Sequence, residues 1–307
     1  MADSPRLIRS RIRSVVNTRK ITKAMELVAA AKMRKAVSAV LATRPYAESA
    51  WRAVEEIAQA TEQSAHPLLQ PGRSDGPDLL VMFSPDRGLC GGVISQLNRT
   101  VNRWREGLNQ PPRIVAVGRK AVQYASRLGL PLAASFDGLT KNPRIAELRP
   151  VARLATDDFM AGKYRGVWLA FTDYKSAAVQ EPVVRPLLPL GRIAGLGEAE
   201  RGLRGVERPS ESQGQEIEMK GAEEFLFEPS ASEVLDLMLP RLVEVQVWQA
   251  LLESLASEHA ARMLAMRSAS DAASEMIQGL TLSLNQARQA AITQEIAEIS
   301  SGKAALG

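Results

Sequence analysis

The residues best placed to do chemistry lie in "SPDRGLCGG", Ser84 to Gly92, where a strand-like run ends and a helical one begins. Backbone amides at such a junction can cradle a phosphate at a helix start. The stretch lacks the Lys-Ser/Thr pair of a P-loop and the spacing of the dinucleotide fingerprint, so its glycines read equally as those of a tight turn. Cys90 is the only cysteine in the 307 residues, which excludes an internal disulfide and a cysteine-rich metal site. As a nucleophile it would need a base, yet the two histidines, His66 and His259, stand in no convincing partner context. His259 falls on the apolar seam of a long helical stretch, where packing is the simpler role. These residues predict no catalytic set, no cofactor site and no metal site.

A second chemistry-bearing feature is charge. Residues 1 to 44 hold eleven Lys or Arg against Asp3 and Glu26, a net of +9 in a chain whose total is only +5. From Ser230 onward there are five basic residues and nine acidic ones. A basic arm suits nucleic acid, and an Arg-rich, acid-poor start also resembles an import signal. Aromatics make up only 5% of the chain, which argues against a base-stacking platform, and ends of opposite sign suggest that they meet. No apolar run approaches the eighteen or so residues that a membrane span requires; "DLLVMF" at 78 to 83 and "VWLAF" at 167 to 171 are strand-sized.

These features must be positioned by elements of two kinds. From Pro5 to about Thr61, apolar residues recur at helical spacing (Ile8, Ile12, Val15, Ile21, Met25, Val28) with no glycine, and Pro45 is expected to bend or interrupt the helix. After a Pro- and Gly-rich break at 66 to 78, strand-like runs at 79–84, 113–118, 166–173 and 181–190 alternate with helical ones at about 93–105, from 119 and at 146–163. Such alternation predicts a mostly parallel sheet with helices on its faces, the proline-bearing 181–190 run at an edge. Residues 191 to 224 read as a flexible linker or hairpin. From Ser230, with Glu233 in capping-box position, only Pro240 and Gly279 oppose a helix of some seventy residues. Its seam runs Leu252, Leu255, His259, Met263, Met266, Ala269, Ala273, Ile277, Leu280, Leu284, Ala287, Ala291. At about 1.5 Å per residue it would span roughly 105 Å, about twice the width of a compact globule of this chain, so it must project and must be partnered. Gly279 to Gln294 carries a single charge, Arg288, which does not suit a solvated surface.

"RIRSVVNTRKITKAMELVAAAKMRKA" (11–36), "DRGLCGG" (86–92), "ASEHAARMLAMRSASDAASEMI" (256–277) and "ARQAAITQEIAEI" (287–299) together resemble the gamma subunit family of F-type ATP synthases. The resemblance covers both ends and the centre, in the family's order. It implies an antiparallel coiled coil of the N- and C-terminal helices (1–65 and 225–307) carrying a Rossmann-like α/β domain (75–190). It also implies a non-catalytic rotor shaft that turns within a hexamer of alpha and beta subunits and couples ion flow to ATP synthesis. The implied partners are alpha and beta at the head and epsilon and the c-ring at the foot, with no nucleic acid, no cofactor and no membrane span. The implied place is peripheral, on the cytoplasmic face of a bacterial plasma membrane or its organellar equivalent. Residue by residue, the resemblance assigns Lys23, Met25, Arg262, Arg288, Gln289 and Thr293 to head contacts. It assigns Gly88, Cys90 and Gly91 to the foot. The chain departs from the family at Ile94, where asparagine is usual, and at Lys303 in a normally small, neutral segment; it also lacks the regulatory cysteine pair of chloroplast versions. Two other classes stand beside this one: a nucleic-acid-binding coiled coil acting through residues 6 to 35, and a small α/β enzyme built on the Cys90 loop.

Overall fold

A computed structural model of the chain describes residues 5–60, 66–72, 75–140, 143–190 and 231–306. The expected connection at 191–224 lies outside them. The first element, α1 (Pro5–Ala60), runs through Pro45, so the anticipated interruption is absent. A proline removes one backbone donor and crowds one carbonyl, a local cost that fifty-five other helical positions absorb. There follow β1 (Leu79–Phe83), α2 (Val93–Glu106), β2 (Arg113–Val117), α3 (Arg119–Arg127), β3 (Leu132–Phe136), α4 (Ile145–Met160), β4 (Val167–Tyr174) and β5 (Gln180–Leu188). The last element is α5 (Ala231–Leu306), also continuous through its proline, Pro240.

The strands form one sheet in the order β3-β2-β1-β4-β5, parallel except for the antiparallel β4–β5 edge pair. This is the expected Rossmann-like arrangement. Pro182 and Pro186 sit on the edge strand β5, where a missing ladder donor is tolerated. Strand β3, "LAASF", escapes a sequence reading because it contains no β-branched residue; it is recruited by pairing with β2.

By contacts the chain divides into two compact units: Met1–Ala31 with Arg262–Gly307, and Lys32–Ala261. The later part of α1 and the first part of α5 thus belong with the sheet. Within that larger unit, both sheet faces are covered, which is why β1 is buried at every position. Leu79, Val81 and Phe83 join Leu148, Val151 and Phe159 of α4 and Leu239, Val243 and Leu251 of α5. Leu80 and Met82 join Leu97 and Val101 of α2 and Ala121 and Tyr124 of α3, with Trp104 and Trp168 packed at 5.5 Å between ring centroids. At the strand starts Arg165 grips the buried carboxylate of Asp78, with Nε 3.2 Å from Oδ1. The smaller unit holds the two remaining helical segments, which pair antiparallel.

The turn that ends β2 is the tightest point of the α/β unit. Gly118 has a φ of 92°, and a Cβ there would stand 2.0 Å from the Ser84 carbonyl oxygen. Gly118→Ala is therefore expected to lower the unfolding free energy by at least about 2 kcal/mol, measured by urea titration of the full chain.

Candidate functional site

In the paired-helix unit, the buried stripe of α1 follows Ile8, Val15, Thr22 and Ala29, spaced by seven; Val15 is half-buried and the other three are 4%, 9% and 2% exposed. That spacing corrects the expected seam: Ile21 and Val28 are 60% and 57% exposed, and the smaller residues next to them take the inward places. A seam kept over several turns follows the 3.5-residue period of a supercoiled pair, so equal spacing outweighs side-chain size. On α5 most of the seam stands as read: Met266 and Ala273 are buried, and Ile277, Leu280, Leu284, Ala287 and Ala291 are the least exposed residues from Met276 onward, but the buried place expected at Ala269 goes to Ser270. From Ile292 to Ser301 every residue is exposed.

The faces turned outward carry large apolar residues, on α1 among exposed arginines and lysines and on α5 with few charges. Alongside Ile21 and Val28, α1 exposes Leu27, while α5 exposes Met276, Leu282, Ile292, Ile296 and Ile299. The polar residues between them are turned inward on their own backbone: the hydroxyls of Thr281, Ser283 and Thr293 donate to the carbonyls of Ile277, Gly279 and Gln289 at 2.7, 3.0 and 3.0 Å. These three hydroxyl donors are thereby satisfied within the helix itself.

The head-contact residues expected from the resemblance fall on this unit. Lys23 is exposed and holds Glu26 at 2.9 Å, and Met25 is half-buried beside the seam. Arg262 is half-buried and engaged in interactions of its own. Arg288, Gln289 and Thr293 are all exposed, within six consecutive residues of α5. Gln289 and Thr293, four apart, present one side, and the Thr293 hydroxyl retains only acceptor capacity.

The Cys90 loop belongs to the larger unit. Asp86 is committed within it: Oδ1 accepts from the Arg119 backbone N–H at 3.0 Å, capping α3, and Oδ2 accepts from the Thr140 hydroxyl at 2.5 Å. Cys90 is 1% exposed, packs with Val93, Ile94 and Ala261, and directs its thiol to the Arg87 carbonyl at 4.0 Å. A buried thiol in that setting is neither a nucleophile nor a direct partner contact. Ile94, the departure from the family pattern, contributes apolar surface to this cluster. Outward projection instead falls to Leu89, 65% exposed and held at φ 62°, with Gly91 at φ 58°. Sequence reasoning passed over Leu89 because positive φ on a leucine has no residue-type signal. The N-terminus of α2, capped by Gly92, has no side-chain cap. Among the described residues no group of His, Cys, Asp and Glu is arranged for a metal, and no helix is long and apolar enough to cross a membrane.

Near the start of α5, His66 fastens the preceding segment. Nδ1 accepts from the Leu68 N–H at 3.1 Å, so Nε2 carries the proton and donates to Asp236 at 3.1 Å. Burial lowers the His66 pKa, against the raising effect of Asp236.

A family model described as "ATP synthase" matches residues 4–306. The chain is 40% identical over 313 residues to the ATP synthase gamma chain of Herpetosiphon aurantiacus, covering 99% of each. It is 42% identical over 305 residues to that of Desulforamulus reducens, again covering 99% of each. Among solved structures it resembles a chain of the central stalk and c-ring of Tetrahymena thermophila mitochondrial ATP synthase, with a TM-score of 0.58 and 26% identity over 81% of this chain and 99% of that one. A chain of the Euglena gracilis mitochondrial enzyme shares the fold at a TM-score of 0.62 and 19% identity, over 98% of this chain and 94% of that one.

Because the folded pKa of His66 lies below 6.5, its contribution to stability is present above pH 6.5 and is lost as pH falls through the folded value. The stability difference between the native chain and His66→Gln is therefore expected to shrink below pH 6.5 and hold constant from pH 7 to 8, measured by denaturant titration of both proteins.

Proposed function

This chain belongs to the ATP synthase gamma family, and from that membership we propose how its parts divide the work. It is the central-stalk subunit of the complex and holds no catalytic site of its own. The paired-helix unit turns inside the ring of alpha and beta subunits, and the α/β unit meets epsilon and the c-ring. The subunit associates peripherally with the energy-transducing membrane, on the face where ATP is made.

The observation that carries this reading is the bare surface of the helix pair. Ile21, Leu27, Val28, Met276, Leu282, Ile292, Ile296 and Ile299 are between 48% and 73% exposed. Apolar residues exposed repeatedly along one helix pair suit enclosure by another protein. A bearing also needs low friction, and the stretch around Gly279–Gln294 has no run of charges with which to lock onto one partner. Arg288, Gln289 and Thr293 then act as catches, strong in some rotary positions and absent in others. A shaft that bound all beta conformations equally could shift none of them.

Lys23, Met25 and Arg262 make the contacts nearer the α/β unit along the chain. The Cys90 loop takes part through Leu89 and the backbone of Gly88 and Gly91. Cys90 itself is packed on Ala261 within the α/β unit, so these neighbours carry the foot contact in its place. Nothing in the fold or among the relatives supports a nucleic-acid role for the basic end.

Purification of the tagged chain from its host, under conditions that preserve membrane complexes, is expected to bring down alpha and beta ATPase subunits; a free monomer would sink the proposal. Within the purified complex, Arg288→Ala removes one charge-assisted contact, worth about 1.5–3 kcal/mol, and is expected to change the ATPase rate by about tenfold or more. Truncation after Gly279 removes all three catches and should abolish coupling of ATPase to ion transport, read as loss of ATP-driven pumping in vesicles.

A further inference from the structure

Gln249, Glu253 and Ser257 follow one another at four-residue steps on α5 and meet the C-terminal end of β4. The Ser257 hydroxyl donates to the Thr172 carbonyl at 2.9 Å, and Gln249 Nε2 donates to Glu253 Oε1 at 3.1 Å. Glu253 is 2% exposed, and its second oxygen, Oε2, is buried without a hydrogen-bond partner. Opposite it, within hydrogen-bond reach, is the carboxyl group of Asp173, itself 1% exposed. Asp173 holds Lys175 Nζ at 2.8 Å and Arg185 at 2.7 Å, and the Arg185 guanidinium also lies 5.3 Å above the Phe171 ring.

Two carboxylates in contact and out of water cannot both be ionised. The surroundings decide which one carries the proton. Asp173 receives two cations, from β5 and from the segment after β4, whereas the one hydrogen bond made to Glu253 comes from a neutral amide. The proton therefore belongs on Glu253 Oε2, where it turns the orphaned oxygen into a donor to Asp173. We propose that this shared proton is a latch between α5 and β4: neutral Glu253 closes the long helix onto the sheet, and loss of the proton opens that seat. The latch stands independently of the rotor reading.

Burial first, and then the charge of Asp173, push Glu253 up to about 8; Arg185 and the Gln249 amide oppose them. Because the folded value lies above the ordinary carboxylate range, the stabilisation is complete below that range and is lost as pH rises towards about 8. In the middle of that window the native state holds one proton more than the unfolded chain, so the folding equilibrium constant falls by up to about tenfold per pH unit there and more gently as pH approaches about 8.

The test compares the full-length chain with Glu253→Gln by denaturant titration from about pH 7 to 9, a range in which the His66 contribution is constant. The native protein is expected to lose stability up to about pH 8 and then level off. The variant, whose amide N–H replaces the proton as donor to Asp173, is expected to lack that fall. Infrared difference spectroscopy of the native chain provides a reading that needs no variant, namely a carboxylic acid C=O band present at pH 7 and gone at pH 9.5. Parallel pH profiles in the two proteins, or no such band at pH 7, overturn the latch; if the variant fails to fold, the band alone decides.

Discussion

Two helices packed along one heptad seam bury a single stripe each, and everything else on their surfaces must be covered by something else or tolerated by water. The smaller unit of this chain meets that constraint in an unusual way. Small residues take much of the seam, Thr22 and Ala29 on one helix and Ser270 and Ala273 on the other, while large apolar residues are left outside. An isolated protein gains nothing from that distribution. A central-stalk subunit of a larger complex has a use for it, because apolar residues left outside are available to other subunits.

The same helix, α5, meets a different environment earlier in its length. From Ala250 to Glu258 every residue is buried, so the helix there is part of a core and not of a surface. Burial on all sides forces its polar residues to find partners inside the protein. Ser257 finds a backbone carbonyl, Gln249 finds Glu253, and Glu253 finds another acid. The one strongly perturbed carboxyl group of the described residues is therefore a consequence of running a long helix through a sheet domain before it continues as one of a pair.

The glycine-rich loop shows how a motif that suggests chemistry is consumed by structure. Its aspartate caps α3, its cysteine packs against α5, and the glycine that follows β2 lies against the backbone of Ser84. What the loop presents outward is a leucine in a left-handed conformation. The motif's specificity lies in the shape it imposes and not in a reactive group.

Much of this was legible beforehand. Alternating strand and helix runs identified the α/β domain, and the seam of α5 was read correctly except at Ala269, where Ser270 is buried instead, because its apolar residues keep strict steps of three and four over many turns. The reading failed where local signals mislead. Pro45 raised the prospect of a bend or a break, and the helix runs on unbroken, while "LAASF" had no β-branched residue to mark it as a strand until β2 supplied a ladder. On α1, the larger Ile21 and Val28 concealed a seam that passes through Thr22 and Ala29. The amino-acid sequence by itself determined the elements other than β3, the family and the charge-poor stretch around Arg288, because these rest on residue type and spacing. Tertiary structure alone decided which face of α1 is inward, that Cys90 is buried while Leu89 is not, and that Glu253 lies against Asp173. Residues eighty positions apart meet as two buried acids only when a helix and a strand are folded together.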